Sequence, residues 1–364
     1  MSSKSNSLSV LALQKFKNDF WGVFSLVIII IIGLASIFAY SFAPDNSQYA
    51  NQMHLAIHSK RPGFKVQMLT IPSTIKNAQN TLDNFFFGNK NPATEIPISS
   101  FSIHDNELIY TEYASDGIEG VVKTIEFKAR DKEEIETLIS EKTFLFGTDK
   151  YGRDLLSRIL VGARISFFIG FVAVFISLFI GIFMGSVAGY FGGKIDALIM
   201  WIINVTWSIP TLLLVIAITL SLGKGFWQVF IAVGLTMWVE VARVVRGQII
   251  SAKEMQYVTA AKALGFNDFR IITKHILPNI MAPVIVISAA NFAAAILIES
   301  GLSFLGIGAQ PPMASWGAMI KDHYNYIILG KPYLALIPGL CIMILVMAFM
   351  LIGNALRDAL DVKN

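Results

Sequence analysis

Six apolar stretches alternate with polar segments along the chain. Each is close to the ~20 residues that cross a bilayer as one helix. They run over 21–42, 165–190, 198–222, 226–245, 280–305 and 333–356. The first carries an isoleucine run at its centre, and the fourth is interrupted near its end by Glu240 and Arg243. The first stretch is too long for a signal-peptide core, and no small-residue cleavage site follows it. It reads as a retained span. Between the first two stretches the pattern changes. Residues 107–113 and 120–128 alternate with the period of a strand, and Asp116-Gly117 supplies a turn between them. Residues 131–140 carry the spacing of an amphipathic helix. Pro72, Pro92 and Pro97 break the earlier part into loops and short elements. The pattern predicts an all-α polytopic membrane protein of about six transmembrane helices, with a small α+β extracytoplasmic insertion. The expected divisions are a cytoplasmic N-terminus (1–20), a first transmembrane helix (21–42), the insertion (43–145) and a core (146–364). That core holds five transmembrane helices and a cytoplasmic loop over 246–279.

Composition agrees with a membrane protein. Of 364 residues, 54% are hydrophobic and 15% charged, and the mean hydropathy is +0.61. Soluble domains carry about 25% charge. Positive charge sets the orientation. Lys4, Lys15 and Lys17 precede the first span. Arg243, Arg246, Lys253, Lys262, Arg270 and Lys274 crowd the loop before the fifth, and Arg357 and Lys363 follow the sixth. The alternate short loops hold only Lys224, Lys321 and Lys331. Both termini and the 246–279 loop are therefore expected on the cytoplasmic side. The net charge of +4 is a consequence of topology. No arginine stripe interleaved with aromatics points to nucleic acid.

Within the cytoplasmic loop, YVTAAKALG runs from Tyr257 to Gly265 and continues as FNDFRIITKHILPN to Asn279. Tyr257, Ala260, Ala261 and Leu264 fall at helical spacing and are expected to line one face. Gly265 suits a left-handed helix end. Asn267 or Asp268 is placed to cap the next turn, and Pro278 to close it. A short alanine-faced helix between spans suits a soluble partner that pushes on it; an ordinary loop helix is the plainer reading.

The pattern Ala260-Ala261, Gly265, Leu277-Pro278 resembles the "EAA" loop of ABC-importer permeases. Thr259 stands where the general pattern has Glu, and His275 where it often has Ile. The wording AAKALG…KHILPN is similar to the peptide and nickel branch of that family. FGTDKYGRDLLSR, from Phe146 to Arg158, resembles the GTDxxGRDxxSR signature of "C"-type dipeptide and oligopeptide permeases. LSFLGIG, from Leu302 to Gly308, and QPPMASWG, from Gln310 to Gly317, resemble its LSFLGxG…PPxxSWG signature. The resemblance covers the first span and everything from about residue 146 onward. It implies the fold of a type I ABC-importer permease in the bacterial inner membrane. It implies import of di- or oligopeptides by alternating access, with nickel or another metal chelate as the alternative cargo. It implies as partners a second homologous permease, two ABC ATPase subunits and an extracytoplasmic substrate-binding protein. In that setting Tyr257, Ala260, Ala261, Leu264, Gly265, Leu277 and Pro278 form the coupling helix seated in a groove of the ATPase.

Polar groups inside apolar stretches are costly and therefore informative. Glu299, beside Ser300 and Ser303, is placed to attract a cationic group of the cargo, or equally to pair with another subunit or to hydrogen-bond while protonated. Asn204, Thr206 and Ser208 precede Pro210 and mark a kink in the third stretch. Asn291 lies within the fifth. These positions line a translocation path or bond helix to helix. Asp149, Arg153 and Asp154 read as part of an outer gate or as groups that fix a helix entry. Gly170, Gly181, Gly185 and Gly189 give the second span a close-packing face.

No catalytic set is evident. One cysteine, Cys341, rules out a disulfide framework or a Cys-rich metal site. His54 and His58 would share a helix face, but no third ligand stands near them and no HExxH motif occurs. A P-loop needs G-x-x-x-x-G-K-[ST]; Gly193-Lys194 is followed by Ile195, and Ala188 replaces the first glycine. The chain is therefore expected to be no enzyme and to bind no cofactor, with ATP and magnesium held by partner chains. A receptor or sensor is the other function class, and the lack of a sizeable cytoplasmic signalling domain weighs against it.

Overall fold

The computed structural model of the chain describes residues 8–73, 81–104, 107–114, 119–126, 135–223 and 225–361. These residues form two compact units. One draws on Met1–Gly33, Ser166–Gln310 and Leu340–Asn364, the other on Leu34–Ile165 and Pro311–Gly339.

Among the described residues, five helices are long and apolar enough to cross a membrane: Phe20–Ile37, Leu155–Phe191, Phe226–Lys253, Asp268–Phe304 and Tyr333–Leu360. A further pair, Gly193–Ser208 and Thr211–Leu222, is bent by 94° and counts as one broken span. In chain order these are spans one to six, the broken one being the third. The kink expected near Pro210 is thus a full break. Proline offers no N–H to the ladder, and it pushes the preceding residue out of the helical region. Ile209 accordingly sits at φ −94°, ψ 127°. Spans two, four and five run past their apolar stretches, because polar turns continue the helix beyond them.

The first unit is built on glycine contacts. Gly181, Gly185 and Gly189 of span two lie against span four. A Cβ at Gly181 would stand 2.5 Å from Val241 Cβ, and one at Gly185 2.5 Å from the Ala242 carbonyl oxygen. Gly234 of span four meets Ile176 of span two in the same way. Small residues let two backbones approach where lipid provides no hydrophobic drive. Val241, Val245 and Ile249 of span four then share a core with Val258, Ala261, Ile271 and Ile276. In the same unit Phe292 stacks on Phe349 with ring centroids 3.8 Å apart, and Phe167 meets Phe292 edge-on.

The second unit holds a five-stranded antiparallel sheet of order β4-β3-β2-β1-β5. The strands are β1 Phe64–Ile71, β2 Thr94–His104, β3 Glu107–Glu112, β4 Val122–Glu126 and β5 Ile139–Phe144. Alternation puts Val66 and Met68 of β1 with Ile57 and Phe144 on one face. Leu69 goes to the other, with Ile98, Leu108, Tyr110 and Ile135. Strands are present over both segments where the sequence alternates. The Asp116-Gly117 turn and residues 131–134 of the expected helix lie outside the described residues. The end of that expected helix is corrected: Ile139 and Ser140 belong to β5, where they pair with Leu69 and Met68. His54 and His58 flank a short 3-10 turn rather than share a helix face.

Candidate functional site

Between spans four and five the chain forms a short helix, Gln256–Ala263. Gly265 follows it at φ +74°. The Gly265 N–H donates to Lys262 O at 2.9 Å, and the Phe266 N–H to Ala261 O at 3.2 Å. This paired pattern is a Schellman cap, which needs one residue in the left-handed region. Asn267 then caps the next turn, accepting from the Arg270 N–H at 2.9 Å. Tyr257, Ala260 and Leu264 are exposed, Leu264 by 72%. Ala261 departs from the expected shared face. It is buried beside Val258, and the two pin the helix to the first unit's core. Pro278 also departs from its expected role, since it ends nothing. A π-turn, Ile271–Ile276, and a 3-10 turn, Leu277–Ile280, carry the chain through it within span five. Altered hydrogen-bond spacing accommodates the missing N–H.

Both arms of this loop are tied to one residue of span two. Lys253 Nζ donates to Tyr190 O at 2.7 Å, and Tyr190 Oη donates to Asp268 Oδ1 at 2.6 Å. Nearby, Arg246 makes a bidentate pair with Asp196, at 2.5 and 2.6 Å. Tyr190, Lys253 and Asp268 are far apart in sequence, and no pattern joins them.

The remaining predicted residues fall in three places. Asp149, Arg153 and Asp154 lie together in the second unit. Asp149 is fully buried. It accepts from Arg153 Nε at 2.6 Å and from the N–H groups of Tyr151 and Arg153 at 2.8 and 3.0 Å. Asp154 caps span two by accepting from the Ser157 N–H at 2.8 Å, and burial pushes its carboxyl above the usual range. A Cβ at Gly152 would stand 1.8 Å from His54 O, so the turn closes only with glycine. The arrangement fixes a helix entry and leaves little of these groups facing outward. Glu299 and Ser303 pair within span five, where Ser303 Oγ donates to Glu299 Oε1 at 2.7 Å. Ser303 also accepts from the Ala309 N–H. The span ends in a second Schellman cap at Gly306, φ +81°. Asn291, also in span five, is buried, and its Nδ2 has no hydrogen-bond partner among the described residues.

Asn204 and Ser208 stand at the end of the third span's first half. There Asn204 Oδ1 accepts from Arg243 Nη2 at 3.2 Å, and the Arg243 guanidinium lies 3.7 Å from the Trp207 ring centroid. Beside the break is a cavity of about 170 Å³ lined by Thr206, Trp207, Thr211, Thr236, Glu240 and Ala294, among others. In sequence, Glu240 registers only as an interruption of an apolar stretch. Its place on a cavity wall depends on the bend at Pro210.

Residues 159–363 match the family model described as the binding-protein-dependent transport system inner membrane component. The chain belongs to this family. It is therefore a multi-pass inner-membrane transport component. Over 218 residues it is 45% identical to the dipeptide transport system permease protein DppC of Bacillus subtilis, covering 60% of this chain and 68% of that protein. Over 224 residues it is 42% identical to the oligopeptide transport system permease protein OppC of Escherichia coli, covering 62% and 74%. The glutathione transport system permease protein GsiD of Pectobacterium atrosepticum is 40% identical over 217 residues, covering 60% and 72%. Among solved structures, an inward facing form of the MetNI methionine ABC transporter aligns with 56% of this chain and 95% of its own. The TM-score is 0.46 and the identity 18%. The family match begins at residue 159, so the sheet of this permease lies outside it.

Proposed function

We propose that the chain is the peptide-translocating permease subunit of an ATP-driven importer. It works with a second permease, two ATPase chains and an extracytoplasmic binding protein. The observation that carries this reading is the exposed helix Gln256–Ala263, capped at Gly265 and clamped at both arms onto Tyr190. A clamped lever passes displacement into spans two, four and five instead of absorbing it as local flexing. The peptide cargo is inferred from the named relatives. The excess of lysine and arginine around this loop supports a cytoplasmic side for it and for both termini, where ATP is available. By the same reading residues 43–145 are extracytoplasmic, the side on which a binding protein works. ATP-driven closure of the ATPases would push Tyr257, Ala260 and Leu264. The push would travel through Val258 and Ala261 to the spans and alternate the opening of the path.

Affinity purification of the chain from its native membrane tests this reading. It should bring down a second multi-span permease and P-loop ATPases. Recovery alone, or with a kinase-like partner, from membranes that express the ATPases would overturn it and favour a receptor.

A further inference from the structure

The cavity beside the broken third span contains a carboxylate that the helix packing does not explain. Glu240 lies halfway along Phe226–Lys253, inside a membrane span, and its side chain is exposed. It lines the cavity with Thr206, Thr211, Thr236 and Trp207. Among the described residues it has no hydrogen-bond or ion-pair partner. The nearest cation along its helix is Arg243, one turn on, and that guanidinium is held by Asn204 and Trp207. Glu299, the acid singled out from sequence, is instead buried and accepts from Ser303. Ionisable residues within a membrane almost always face the bundle interior or a water-filled cavity, or are paired, and they mark substrate and ion pathways.

The rest of the wall points the same way. Thr236 Oγ1 donates to Val233 O at 2.9 Å, and Thr206 Oγ1 donates to Ile202 O at 2.9 Å. Each hydroxyl has one proton and has given it to its own helix. What these groups still offer is acceptors. With one carboxylate and two hydroxyls left as acceptors, beside Thr211 and the Trp207 ring, the wall favours donors, and a cationic donor above all. Its volume of about 170 Å³ is below the ~300 Å³ of a small-molecule pocket. It therefore admits one group of a cargo rather than a whole peptide.

We propose that Glu240 is a cargo-contacting residue of the translocation path, and that it takes an ammonium group of the passing peptide. This rests on the peptide-importer reading. The ammonium has two possible sources, the peptide amino terminus and a lysine side chain. Glu240→Gln keeps the size of the side chain, removes its charge and replaces one of its two acceptor oxygens with a donating NH2.

The test is ATP-driven uptake of Ala-Ala-Ala and Ala-Lys-Ala by the assembled transporter in proteoliposomes, with the binding protein supplied. Glu240→Gln should assemble normally and lower uptake about tenfold, the effect of one lost charge-assisted hydrogen bond. Glu240→Asp should recover part of it. Loss for both peptides identifies the amino terminus, and loss for Ala-Lys-Ala alone identifies the side chain. Undiminished uptake of both peptides by Glu240→Gln overturns the proposal, as does a complex that no longer assembles. If the unaltered transporter moves neither peptide, the peptide-importer reading itself fails.

Discussion

Two buried ionisable residues of the second unit show opposite solutions to the same problem. Asp149 is enclosed by Arg153 and by two backbone N–H groups, all of which donate to its side chain. His323 is held neutral. It is 1% exposed, its Nδ1 lies 2.7 Å from Met319 O, and its Nε2 accepts from the Lys150 N–H. Burial lowers its pKa below the usual histidine value, and His54 is lowered for the same reason. The consequence for stability has a definite sign. A histidine with a depressed folded-state pKa stabilises the fold above its unfolded pKa of ~6.5, and that contribution is lost as pH falls toward the folded value. Thermal unfolding of the detergent-solubilised chain should therefore be level above about pH 6.5 and shift to lower temperature on acidification. His323→Gln should flatten part of that slope, and an unchanged slope would contradict the assignment.

The two Schellman caps at Gly265 and Gly306 dominate the scale of elements. Both glycines fall in motifs quoted from sequence, and both have positive φ. A Cβ at Gly265 would meet nothing within 4 Å. The constraint there is backbone conformation, not space. A β-branched residue in that conformation costs about 1–3 kcal/mol, and ~1.4 kcal/mol is tenfold in population. Gly265→Val should therefore lower ATP-driven uptake by about tenfold while the complex still assembles. Gly265→Asn, which tolerates the left-handed region, should retain most of it. Normal uptake by the valine variant would argue that the cap is irrelevant to coupling.

Much of this level was legible. The six apolar stretches, the glycine-marked helix end and the alternating strands rest on local pattern, which sequence carries directly. The ride through Pro278 on a π-turn was not legible, because tertiary packing there overrides the local rule. The inward turn of Ala261 was hidden because a four-residue stripe at helical spacing does not say which edge meets the core. The Tyr190 ties and the exposure of Glu240 depend on contacts between distant segments.

As a whole molecule, the chain is a transport component, and two of the surfaces exposed by its described residues suit partners within or beside the membrane. One is the outer edge of the Gln256–Ala263 helix, where Leu264 is 72% exposed. The other is the apolar exterior of the spans, such as Phe175 and Phe179, which suits lipid or a second permease. Import driven by ATP requires the first of these to be seated in an ATPase. The most direct test places a photo-cross-linking phenylalanine analogue at Leu264 in the native membrane. A second chain carries it at Val258, which is fully buried. The account predicts an adduct of this chain with one P-loop ATPase from Leu264 and none from Val258. Adducts to some other protein, or no adduct at Leu264 while the ATPases are present, would contradict it.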